Sequence, residues 1–91
     1  MHVISAELTF FIPHADSLKD KRQVCRSLVS RVRQKFNASV AEVDTQDLCQ
    51  TLTLGVAVVS GSGKHAKQIM DEIERFIDNN TDAELISMEY E

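Results

Sequence analysis

Tryptophan is absent from this sequence, and the other aromatics are few: four Phe and one Tyr. Proteins that hold single-stranded nucleic acid by stacking its bases need exposed rings, and most of the rings here fall where a periodic apolar pattern places a core. Cysteine is equally sparse. Cys25 and Cys49 are the two in the chain; they form no C-x-x-C pair and have no histidine at ligand spacing. Neither a zinc site nor a redox dithiol is therefore encoded, and both are expected as reduced thiols with no metal and no cofactor. No run approaches the roughly 18 apolar residues that cross a bilayer, and Met1-His2-Val3-Ile4-Ser5 lacks the basic start of a signal peptide. A cytoplasmic protein without membrane partners is expected.

What is present is an ordinary globular composition in 91 residues, 43% of them hydrophobic, enough for one core and too few for two. One domain over residues 1–91 is expected. The formal charge of −4 conceals an asymmetry: from Lys19 to Lys35, seven basic residues face Asp20 alone, a local +6 that leaves −10 for the remainder. A basic element on an acidic body steers anionic partners to one face.

Strict alternation from Val3 to Ile12 sets Ile4, Ala6, Leu8, Phe10 and Ile12 on one side of a strand that Pro13 ends. Ser17 followed by Asp20 has the form of a helix N-cap, with the helix beginning near Leu18 and stopping at Asn37. On a wheel of about 100° per residue, Leu18, Val24, Cys25, Leu28, Val29, Val32 and Phe36 make an apolar stripe. A weaker strand follows from Ala38 to Asp44, then the polar loop Asp44-Thr45-Gln46-Asp47, then a strand from Gln50 to Val59 that is apolar on both sides after Gly55. Ser62 caps a second helix carrying Ala66, Ile69, Met70, Ile73, Phe76 and Ile77 at helical spacing, and Asn79-Asn80 ends it. The last strand, Ala83 to Tyr90, is expected to turn Ile86, Met88 and Tyr90 inward.

The order β-α-β-β-α-β predicts an α+β, ferredoxin-like two-layer sandwich: a four-stranded antiparallel sheet with both helices on one face and the first and third strands central. The two most continuously apolar strands are the first and the third, so pattern and topology agree.

Motifs of known chemistry are scarce. Gly61-Ser62-Gly63-Lys64 suggests a phosphate loop, but its first glycine would fall on Val58 and its hydroxyl residue on His65, which leaves a capped turn. His2, His14 and His65 read as surface residues. Glu42, Asp44, Gln46 and Asp47 mark a possible interaction loop, although a hairpin tip is a poor pocket for acid-base work. The basic helix is the strongest signal. Lys19, Arg22, Arg26 and Arg33 share about 60° of arc beside the apolar stripe, and Lys21 and Lys35 are assigned to its other edge. Such a row suits a phosphate backbone; the alternative is a solvated face answering the acidic second helix through exposed ion pairs.

The blocks Ser17-Leu18-Lys19-Asp20-Lys21-Arg22, Ser39-Val40-Ala41-Glu42-Val43-Asp44, Gln46-Asp47 and Gly55-Val56-Ala57-Val58-Val59-Ser60 together resemble the YlxP-like family of small bacterial proteins. The resemblance implies a ferredoxin-like fold and a bacterial cytosolic protein of unassigned activity. Its members are often encoded among translation and ribosome maturation factors, which by association implies work on the small ribosomal subunit. No catalytic residue carries over. Lys19, Lys21 and Arg22 match its helix opening, and Glu42, Asp44, Gln46 and Asp47 match its hairpin.

Three readings follow. The first is a non-enzymatic factor that binds ribosomal RNA or the small subunit through Lys19, Lys21, Arg22, Arg26 and Arg33. The second is a homodimeric interaction module using a sheet face or edge strand. The third is an acylphosphatase-like enzyme, for which Ile12-Pro13-His14-Ala15-Asp16 supplies an acid where an anion cradle is required.

Overall fold

Alternation along the first segment produces strand β1, His2–Phe11, with Ala6, Leu8 and Phe10 buried on one side. The computed structural model describes residues 1–91. After β1 come α1 (Leu18–Lys35), β2 (Ala38–Asp44), β3 (Thr51–Ser60), α2 (Gly63–Asn79) and β4 (Glu84–Tyr90). The strands form one sheet in the order β2-β3-β1-β4, every neighbour antiparallel. The ferredoxin-like architecture expected from the element order is thus the one observed, with β1 and β3 central.

Both helices begin where a serine accepts the first free amides. Ser17 Oγ takes the Asp20 N–H at 3.1 Å, and Asp20 returns a bond to the Asp16 N–H at 3.0 Å; Ser62 takes the His65 N–H at 3.3 Å. These caps satisfy amides that have no partner inside the helix. Helix α1 ends at Lys35 with Phe36 as its C-cap, one residue short of the expected Asn37.

Between sheet and helices lies one core. Leu8, Leu52, Leu54 and Val58 of the central strands meet Leu28 and Val32 of α1 and Met70, Ile73 and Ile77 of α2. Burial of each such side chain contributes about 1.5–3 kcal/mol. The rings of Phe36 and Phe76 close one end edge to face, 5.6 Å between centroids.

Strand β4 departs from expectation. A bulge opposite Thr9 and Phe10 places Ser87 and Leu85 in register and leaves Ile86 between them. An extra residue inverts the alternation, so Leu85 packs on the core with Met88, while Ile86 is 61% exposed. The inward assignment of Ile86 is corrected accordingly, and Tyr90 also stays 46% exposed at the rim.

Candidate nucleic-acid interface on the first helix

The first helix carries its charges in two populations. Lys19, Arg22 and Arg26 stand exposed on its outer side, and none has a carboxylate within ion-pair distance: the chain's two salt bridges are Lys21 with Glu42 and Lys67 with Asp71. The ion pairs with the acids of α2 that the solvated-face reading allowed are therefore absent, and these three bases face solvent. Across that helix pair, Arg31 donates to the Asn80 carbonyl at 3.4 Å, and Lys35 lies over the Phe76 ring, 4.8 Å from its centroid. Arg33 is exposed but engaged, its Nη2 donating to the Val40 carbonyl at 2.6 Å.

Lys21 belongs to the second population, and its assignment to the binding face is corrected. It is 2% exposed. Its ammonium donates to the Thr45 carbonyl and lies 2.9 Å from Glu42 Oε2, a charge contact outside hydrogen-bond geometry. On the helical wheel Lys21 falls between Leu28 and Val32, about 20° from each, so its stem runs into the core and its head emerges under the β2–β3 hairpin. Glu42 likewise leaves the loop to which it was assigned. It is a half-buried residue of β2, turned toward α1 as the partner of Lys21.

The hairpin itself is held at Thr45, whose φ of 56° is rare for a β-branched residue. Its N–H donates to Asp44 Oδ1 at 2.7 Å, and its hydroxyl contacts the Thr51 carbonyl and the Thr53 hydroxyl at 3.2 and 3.0 Å. The Thr45 carbonyl accepts from both Lys21 and the Leu48 N–H. Backbone strain of this kind persists when its surroundings over-determine it. The two motif blocks separated in sequence thus meet at one joint, while Gln46 and Asp47 remain exposed at the tip.

A shallow groove of about 550 Å³ runs between α1 and the edge strand β2, lined by Cys25, Arg26, Val29, Arg33, Val40 and Glu42 among others. Burial first, and the nearby Glu42 carboxylate second, push the Cys25 thiol above its ordinary pKa. That is the opposite of an activated nucleophile.

The helix-free side of the sheet has the other sign. Glu7 lies opposite Glu89 there, with Asp44 and Glu91 close by. A hydrogen bond with the Glu91 side chain, followed by desolvation and the negative charge of Glu91, Asp44 and Glu89, raises the Glu7 pKa. Phosphate is repelled from this face. Nor does Gly61-Ser62-Gly63 cradle an anion, since no glycine has a positive φ and Ser62 is used as a cap.

The chain's sequence matches, over residues 3–90, the family described as "Protein of unknown function (DUF503)". The chain belongs to the DUF503 family. A relative, the "Uncharacterized protein YlxP" of Bacillus subtilis (strain 168), is 38% identical over 74 residues, covering 81% of this chain and 80% of the relative. The YlxP-like resemblance read from the helix opening and hairpin is thereby established. Among solved structures, a de novo designed protein with a ferredoxin fold superposes with a TM-score of 0.67 at 19% identity, covering 99% of this chain and 85% of the design. That likeness concerns fold alone: a DUF503 chain and a designed protein share the pattern that makes the sandwich, and function has to be argued from side chains.

Proposed function

We propose that this DUF503 protein is a cytoplasmic, non-enzymatic factor that binds the phosphate backbone of folded ribosomal RNA, on the small subunit or its precursors, through the outer side of α1. The supporting observation is that Lys19, Arg22 and Arg26 are exposed without a carboxylate partner, although the chain has more acids than bases. Unpaired guanidinium groups on a rigid helix are ready to replace counterions on phosphate. Arg33 sits on the same side and adds its positive charge while its Nη2 stays bonded to the Val40 carbonyl. Lys21 takes no part. With acids on the open sheet face and few exposed rings, recognition works through shape and backbone rather than base stacking. The assignment to the ribosome rests on the family resemblance.

Co-sedimentation with ribosomal subunits at low and moderate salt tests this reading, followed by RNA titrations of an Arg22→Glu, Arg26→Glu double variant. Expected are salt-sensitive migration with the small subunit or its precursors, an affinity loss of at least about tenfold, and a salt slope lower by about two, with thermal unfolding unchanged. Free protein at both salts, or an unaltered affinity in the double variant, overturns it.

A further inference from the structure

The sheet has two edges, and they are finished differently. At β2 the Arg33 guanidinium occupies the outward Val40 carbonyl, and α1 lies alongside. At β4 no side chain covers the backbone. The Glu91 N–H bonds the Ser5 carbonyl, so by antiparallel alternation Glu91 and Glu89 point their peptide groups at β1, and Met88 and Tyr90 point theirs outward. This open stretch also carries two of the chain's exposed apolar side chains, Ile86 and Tyr90. The Tyr90 ring is held in place by Lys67, whose ammonium lies 4.9 Å from its centroid and is itself anchored to Asp71.

We propose that β4 pairs antiparallel with β4 of a second copy of this chain, about a two-fold axis through Met88. That axis makes Met88 a hydrogen-bonded pair with its own symmetry mate and brings each Ile86, in the bulge, level with the other copy's Tyr90, so that both exposed apolar residues lie at the seam. It also places each Glu89 opposite Ser87. The charge pattern favours this register over those shifted toward the C-terminus: an axis through Glu89 would oppose Glu89 to itself, and one through Tyr90 would oppose Glu89 to Glu91, both repulsive. An axis through Ser87 opposes no like charges but sets Glu89 against Leu85 and Glu84 against Tyr90. A closed two-fold contact uses the edge once in each chain, leaves the capped β2 edges at the outside, and extends no further. The seam is one short strand, smaller than a standard interface of about 1,200–2,000 Å², so association is weak and concentration-dependent. In the resulting eight-stranded sheet all four helices lie on one face, with the two α1 helices about 30 Å apart across roughly six strand spacings. The inference does not depend on the RNA reading, and association is strengthened by salt that screens the acids near the seam, opposite to the salt response expected for RNA.

Sedimentation equilibrium on the whole chain, from about 10 µM to about 1 mM, tests the proposal at the affinities such a seam supports. A monomer–dimer equilibrium is expected, with the Met88 and Tyr90 amides gaining protection from hydrogen exchange as concentration rises. Ser87→Glu sets an acid against Glu89 at two symmetric places in the seam and should weaken dimerisation about tenfold; Ser87→Lys pairs with Glu89 and should tighten it severalfold. Thermal unfolding confirms that both variants remain folded. A monomer over the whole range overturns the proposal, and so does a dimer whose constant is indifferent to both substitutions. RNA binding by either form leaves these outcomes unchanged, so the two ideas fail separately.

Discussion

Lys19 and Lys21 are two residues apart in the same basic segment and have opposite fates. Lys19 extends into water without a partner; Lys21 is 2% exposed, its stem among core residues and its ammonium between Glu42 and the Thr45 carbonyl. Two positions on a helix are a rotation of about 200°, which separates a group available to a ligand from a group that holds the fold together. The difference shows that a local net charge of +6 overstates the binding charge. Buried lysine is tolerated here because its stem is apolar and its head is bonded. The arrangement ties the first turns of α1 to the edge hairpin.

The larger stability loss within that contrast is expected at Lys21. Lys21→Met keeps the stem and removes the charge, leaving Glu42, 22% exposed, against an apolar neighbour and the Thr45 carbonyl without its donor. Urea unfolding should show a loss of about 2–3 kcal/mol, while Lys19→Met stays within about 0.5 kcal/mol. Equal losses at the two positions would erase the distinction. Combining Lys21→Met with Glu42→Leu should recover part of the loss, because removal of both buried partners leaves no orphaned charge. A smaller effect is expected at the cap that starts the helix. Ser17→Ala deprives the Asp20 N–H of its acceptor and should cost about 1 kcal/mol in the same assay, without changing the affinity of α1 for RNA.

The fold was legible because each level of the pattern agreed. Alternation in β1 and β3, serine caps before both helices and an apolar stripe in each predicted the elements to within a residue or so, and the handedness of the two helical crossovers left few topologies. Ile86 was misplaced because a bulge is a property of two strands together, and nothing in Glu84 to Tyr90 alone announces it. The site was legible only in part. Lys19, Arg22 and Arg26 share one face in sequence and in structure, but Lys21 was grouped with them on charge. Its wheel position between Leu28 and Val32 was the available signal, whereas the pairing with Glu42 follows from the packing of α1 on β2. The positive φ of Thr45 could not be read in advance, since it follows from hydroxyl and carbonyl contacts formed across the hairpin.

The carboxylates offer a second version of the same contrast, with a smaller effect. Glu42 faces a cation, whereas Glu7 on the opposite side of the sheet faces Glu91, Glu89 and Asp44. The Glu7 pKa is raised above its ordinary value of 4.5, so the folded chain holds this proton more tightly than the unfolded chain does. The resulting contribution to stability is present below the ordinary value and is lost as pH rises through the raised one. At neutral pH the cluster is therefore mildly repulsive, and exposure and salt keep the effect small. Glu7→Gln should be slightly more stable than the parent at pH 7, and the difference should shrink toward zero as pH falls below 4.5. Thermal melts of both proteins across that range, at low and high salt, check the sign. A variant less stable than the parent at neutral pH would mean that the Glu7 carboxylate is held by a favourable contact rather than crowded by its neighbours.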